Sequence, residues 1–216
     1  MERKVKIVTV IAGPNGAGKT SLQSLLRQAH LVECNIVNID AITIDENLLP
    51  NDPLRYQKEL NRLVDKKFKE LCLDVIENNQ DFAFECNLRE NQIKYLALFD
   101  DAGYKINLVY LWLDSLELSL DRVKTRVAQG GHNVGRNSIE SNYYEGLNNL
   151  NDSFQDWDKL YIIDNSKDIS KNDIENLPLI LYIENGNIEY ISPSIDNNIL
   201  ESNFPKIAKN LLKQDT

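Results

Sequence analysis

Gly13-Pro14-Asn15-Gly16-Ala17-Gly18-Lys19-Thr20 decides how this chain is read. It satisfies the pattern G-x-x-x-x-G-K-[ST] at every fixed position. The run before it, Val5-Lys6-Ile7-Val8-Thr9-Val10-Ile11-Ala12, reads as a buried strand, and Ser21-Leu22-Gln23-Ser24-Leu25-Leu26-Arg27 after it reads as a helix. Glycines let the backbone turn until its N–H groups face an anion, and the helix N-terminus adds positive dipole to the same spot. In that geometry Gly13, Asn15, Gly16, Ala17, Gly18, Lys19, Thr20 and Ser21 are the expected nucleotide-binding set. Lys19 would reach the β- and γ-phosphates of ATP, and the Thr20 hydroxyl would hold Mg²⁺. The alternative, a plain glycine-rich turn, gives no reason for a lysine and a threonine at these places.

Outward from the loop, strand and helix patterns alternate. Asn35 to Asp40 reads as a short second strand, and Tyr56 to Asn78 repeats apolar residues at helical spacing. Asp81 to Glu85 is a strand and Gln92 to Asp101 a helix stopped at Gly103. Ile106 to Leu113 is almost wholly apolar, as expected of a strand covered on both faces. Two amphipathic helices follow, separated by Gly130-Gly131, and then the strand Leu160 to Ile163. This order predicts an α/β fold of the P-loop NTPase type, with a parallel sheet flanked by helices. Leu179 to Ser192 reads as a β-hairpin turning at Asn185-Gly186, and Ile199 to Lys213 as a closing helix. With no linker before that tail, residues 1–216 are expected to form a single domain.

The chain has 216 residues and a formal net charge of −9. That balance argues against a nucleic-acid-coating surface. No stretch approaches the ~20 apolar residues of a membrane span, and the short apolar run near Met1 ends in the glycine loop rather than in a leader's cleavage site. Cys34, Cys72 and Cys86 are widely spaced, form no metal pattern and point to a reducing cytoplasmic setting.

Other candidates for chemistry end strands, where open α/β sheets hold their ligands. Asn38 and Asp40 follow the second strand. Asp40 could accept a proton from an attacking hydroxyl, or could cap a turn. Glu85 and Asn87 follow the third strand, with acceptor binding or Mg²⁺ ordering set against loop capping. Asp114 resembles a metal-binding aspartate at a strand end, but a serine and a helix follow it directly. Arg122 and Arg126 lie one turn apart on the next helix, which runs into Gly130-Gly131-His132 and could swing as a lid over a γ-phosphate. Asp164-Asn165-Ser166 ends the last parallel strand and either contacts the nucleotide base or forms a turn.

In order and spacing these elements resemble the zeta toxin family of P-loop kinases, including its stand-alone UDP-N-acetylglucosamine kinase-like members. The matching residues are Gly13 to Thr20, Asn38-Ile39-Asp40, Phe84-Glu85, Gly103-Tyr104, Arg122-Val123 with Arg126, Gly130-Gly131-His132-Asn133-Val134, and Asp164-Asn165-Ser166. The resemblance implies transfer of the ATP γ-phosphoryl group to a sugar hydroxyl, a nucleotide sugar being the leading acceptor. By that match Asp40 is the base, Asn38, Glu85 and Asn87 help bind the acceptor, and Arg126 is a lid arginine. An antitoxin protein encoded elsewhere would be a partner. The resemblance also expects a second lid arginine just before a tyrosine, and here that place is Asn142 before Tyr143. Arg136, nearby on the same segment, is the residue expected to substitute. Without a substitute, the chain would bind ATP and transfer little.

Overall fold

The computed structural model describes residues 5–131, 133–167 and 177–214. Seven strands form one sheet: β1 (Ile7–Ala12), β2 (Ile36–Asn38), β3 (Phe82–Cys86), β4 (Lys105–Trp112), β5 (Lys159–Asp164), β6 (Leu179–Glu184) and β7 (Asn187–Ile191). Their order across the sheet is β2-β3-β1-β4-β5-β6-β7. The first five in this order run parallel, and β6 and β7 add antiparallel to β5. β1 lies between β3 and β4, so the chain leaves its C-terminal end at the place where the strand order reverses. That is where open α/β sheets have their crevice.

The alternation of side chains along β4 explains its apolar run. Leu108, Tyr110 and Trp112 enter the core on one face, whereas Val109 and Leu111 enter the core on the other. The first core packs α2 (Pro53–Glu77) through Phe68, Cys72 and Val75 against Phe82 and Phe84. Phe82 stacks on Phe99, and Phe68 meets Phe84 edge-on at 5.1 Å between ring centroids. Each fully buried phenylalanine of this kind contributes about 1.5–3 kcal/mol. The second core holds α1 (Gln23–Gln28), α5 (Leu116–Ala128) and the first half of α6 (Arg136–Ser153) through Leu25, Leu26, Val123, Ile139 and Tyr143. Cys72 and Cys86 are buried, and burial pushes the Cys86 thiol up to about 12.

The remaining helices are α3 (Glu90–Ile93), α4 (Leu96–Asp101), α7 (Asn197–Asn203) and α8 (Pro205–Gln214). Here the structure departs from the sequence expectations. The helix expected over Gln92 to Asp101 is two short helices with a break at Lys94-Tyr95, where Tyr95 packs its ring on Phe68 and bonds Asp65. The closing helix breaks at Phe204, because Pro205 has no N–H to continue the ladder and instead begins α8. The long helix starts three residues early, at Pro53, with Asp52 as its cap. The second strand stops at Asn38, so Asp40 sits in a 3₁₀ turn over Ile39–Ala41. The hairpin turn is as expected: Asn185 and Gly186 both have positive φ, 49° and 79°, as a type I′ turn requires. Phe204 packs against Trp112 of β4, tying the tail to the same core.

Candidate functional site

The loop after β1 is shaped by contacts that leave no room for side chains at two of its glycines. Gly13 has φ +146°, and a Cβ there would run into the Leu111 carbonyl. Gly18 has φ +84°, and a Cβ there would sit 2.6 Å from Asn165 Nδ2. That amide donates instead to the Ala17 carbonyl at 2.8 Å. Two more residues brace the loop from α5. Ser119 Oγ donates to the Asn15 carbonyl at 2.6 Å, and Arg122 donates to the Gly16 and Ser166 carbonyls at 3.3 and 3.2 Å.

Lys19 folds under the loop. Its Nζ donates to the Gly13 and Pro14 carbonyls at 2.7 and 3.1 Å and to Asn87 Oδ1 at 2.9 Å. Burial lowers its pKa below the ordinary lysine value, Arg126 adds to that, and the carboxylates of Glu85 and Asp40 oppose it. Thr20 Oγ1 donates to Glu85 Oε1 at 2.8 Å, and Gln23 Nε2 donates to Glu85 Oε2 at 3.2 Å. Glu85 is only 2% exposed, so a buried carboxylate lies directly behind the threonine hydroxyl. These two oxygens suit Mg²⁺, which is commonly held by one or two protein groups, several waters and the substrate phosphates.

A cavity of about 620 Å³ opens over the loop. Residues 15–22 line it, with Asn38, Asp40, Glu85, Arg122, Thr125, Arg126, Gln129 and Asn165. A second cavity of about 580 Å³ adjoins it, lined by Gln57, Asn61, Asp65 and Phe68 of α2, by Asn87, Arg89, Asn91 and Gln92, and by Val134 and Asn142. Asn15 and Asp40 line both. Asp40 is exposed, and its N–H is held by Asn38 Oδ1 at 2.8 Å.

The expected site residues therefore divide. Gly16, Ala17, Gly18, Lys19, Thr20, Ser21, Asn38, Glu85 and Arg126 gather in the loop cavity, Asn87 in the adjoining one, and Asn15 and Asp40 in both. Glu85 thus stands on the threonine side, away from the second cavity. Gly130 ends α5 at φ +86°, and Gly131 crosses so close to the Arg126 stem that a Cβ there would lie 2.6 Å from Arg126 Cγ. His132 lies outside the described residues. Arg136 is not brought to the site: it opens α6 with an exposed side chain and lines neither cavity. Asp114 lines a third cavity and takes its place in a cap, accepting from Ser115 Oγ while Ser115 caps α5. Among the described residues no cluster of three His, Cys, Asp or Glu side chains is placed to hold a metal ion, and no helix is long and apolar enough to cross a membrane.

Two further residues take part, and Asn142, which the sequence marks only by its lost charge, has a bond that the sequence does not show. Arg89 lines the second cavity and pairs with Glu145 at 3.0 Å. Its position, two residues beyond Asn87 on the crevice edge, was the available signal. Gln23 reaches Glu85 from the first turn of α1. Asn142 is buried and donates through Nδ2 to Asn15 Oδ1 at 2.8 Å. The spacing of 127 residues gave no sign of that pair.

Comparison with known proteins bears on the same region. The family profile described as Zeta toxin matches residues 1–178. An uncharacterized protein of Haemophilus influenzae is 27% identical over 132 residues, 61% of this chain and 88% of that one. Among solved structures, a chain of the PezAT chromosomal toxin–antitoxin system of Streptococcus pneumoniae aligns with a TM-score of 0.52 at 14% identity, covering 98% of this chain and 89% of that one. A chain of the AvrRxo1-ORF1:AvrRxo1-ORF2 structure with sulphate ions aligns with a TM-score of 0.56 at 15% identity, covering 97% of this chain and 76% of that one. At such identities the structural likeness speaks to the fold. The profile, spanning the phosphate loop and every strand of the parallel sheet, carries the assignment: this chain belongs to the zeta toxin family.

Proposed function

We propose that this protein is a kinase that transfers the γ-phosphoryl group of ATP to a hydroxyl of a small molecule, a nucleotide sugar such as UDP-N-acetylglucosamine being the first acceptor to test. The observation that carries the reading is Asp40, a carboxylate shared by the phosphate-loop cavity and the cavity beside it. A base for this reaction has to stand between donor and acceptor.

In this reading the loop N–H groups and Lys19 take the β- and γ-phosphates. Thr20 and Glu85 would hold Mg²⁺, which would supply positive charge to offset that of the phosphates. The acceptor lies in the second cavity among Asn87, Arg89 and the amides of α2. Its hydroxyl gives a proton to Asp40 as the oxygen attacks the γ-phosphorus, and the bond to the β–γ bridging oxygen breaks to release ADP. Arg126 faces the charge that spreads over the transferring oxygens. A domain spanning residues 1–216, a cytoplasmic setting and an antitoxin partner encoded elsewhere complete the proposal. The partner is suggested by family membership and by the toxin–antitoxin system among the structural relatives.

A second reading, a nucleotide binder with slow transfer, is favoured by Asn142, which stands uncharged where the family resemblance expects an arginine. A screen of ATP consumption across nucleotide sugars separates the two. Asp40→Asn tests the first directly: it should keep Mg-ATP binding and slow transfer at least ~100-fold. Wild-type rates in that variant would return Asp40 to a turn-capping role.

A further inference from the structure

Asn142 does something other than fill a vacated place. Asn142 is 6% exposed and its partner Asn15 8% exposed. Nδ2 donates to Asn15 Oδ1 at 2.8 Å, while Oδ1 accepts from Arg89 at a long 3.5 Å. Asn142 finds its partner in the phosphate loop, 127 residues away, and both residues line the second cavity. Asn15 is then gripped twice, its carbonyl by Ser119 of α5 and its side chain by Asn142 of α6. One turn further along the same face of α6, Gly146 lies so close to Asn87 that a Cβ there would be 2.6 Å from the Asn87 carbonyl oxygen. Asn149 continues the line by donating to the Leu88 carbonyl at 2.8 Å. Helix α6 is thus seated on both the donor loop and the segment carrying Asn87 and Arg89.

We propose that Asn142 is a positioning residue, whose buried amide fastens the phosphate loop to α6 and holds that loop in its nucleotide-binding shape. The proposal rests on the nucleotide reading of the loop. An unpaired amide at this depth would cost more than the bond gains, so losing one partner strains the loop on the side that Ser119, Arg122 and Asn165 do not hold.

The test is a double-mutant cycle on binding of Mg-AMPPNP, measured by calorimetry on the full chain. Asn142→Leu keeps the volume and removes the amide. It should weaken binding about fivefold to tenfold, the worth of one ordinary hydrogen bond. Asn15→Ala should do the same, and the double variant should bind no worse than either single one. A role confined to helix packing would lower the melting temperature and leave the affinity of folded protein unchanged. If Asn142→Leu does not fold, Asn142→Ser takes its place in the same cycle with the same expectations. Affinity equal to wild type in the Asn142 variant, or losses that multiply in the double variant, overturns the proposal. Failure of the wild-type protein to bind Mg-AMPPNP would overturn the nucleotide reading itself, which distinguishes the two failures.

Discussion

The cavity over the phosphate loop takes half its lining from the unbroken run 15–22, whereas the cavity beside it is assembled mostly from α2 and the segment after β3, with single residues of the loop and of α6, and the turn after β2. The first is built on a loop fixed by glycines and braced by Ser119, Arg122 and Asn165. The second is made of side chains, many of them amides, delivered by segments that meet only in the folded protein. A site of the first kind binds what every nucleotide shares, its phosphates. A site of the second kind can change its preference through single substitutions away from Asn15 and Asn142, the pair that ties it to the loop.

The largest effect expected from breaking this division is at Lys19. Lys19→Ala should slow transfer at least ~10³-fold, the upper range for one electrostatic donor, and remove most nucleotide affinity. The same lysine gives a pH test. Burial disfavours its charged form, and bound phosphates favour it. Nucleotide affinity should therefore be full below the lowered Lys19 pKa and fall as pH rises through it, earlier than an ordinary lysine would dictate. Calorimetry across alkaline pH checks this, and Lys19→Ala should flatten that part of the profile.

Next is the contrast between two arginines. Arg126 lines the donor cavity and Arg136 does not. Arg126→Ala should slow transfer ~10²-fold or more, with Arg136→Ala within about twofold of wild type. Equal losses in steady-state assays would mean that the start of α6 moves onto the donor during turnover.

The smallest effect sharpens the acceptor side. Arg89→Ala should raise the KM for the acceptor about tenfold, as expected when a hydrogen bond to a charged group is lost, and leave Mg-AMPPNP affinity near wild type. A comparable fall in nucleotide affinity would show that the two cavities cannot be addressed separately.

The same division explains what the sequence made legible. The strands, the phosphate loop and the hairpin turn at Asn185-Gly186 are local, each encoded in a few adjacent residues, and they stand where expected to within about two residues at their ends. Asp40, Glu85 and Asn87 could be placed on the crevice edge, because the edge follows from strand direction alone. Their division between the cavities could not, because it depends on Thr20 reaching Glu85 and Lys19 reaching Asn87 across 65 and 68 residues. The breaks at Lys94-Tyr95 and Phe204-Pro205 are of two kinds. Pro205 announced its break in the sequence. Tyr95 did not, because its aromatic and hydrogen-bond partners, Phe68 and Asp65, lie on α2. Arg136 is close to the Gly130-Gly131 segment along the chain, but the first turn of α6 leaves it exposed to solvent.

The order of the strands also bears on how the chain behaves when crowded with copies of itself. The outermost strands are β2, with three residues, and β7, with five, one of them the exposed Glu189. The long apolar strands β1 and β4 are interior and have both neighbours in place. An open sheet recruits foreign strands through its rims, and short or charged rims make poor templates. The folded chain therefore offers little on which edge-to-edge aggregation could start.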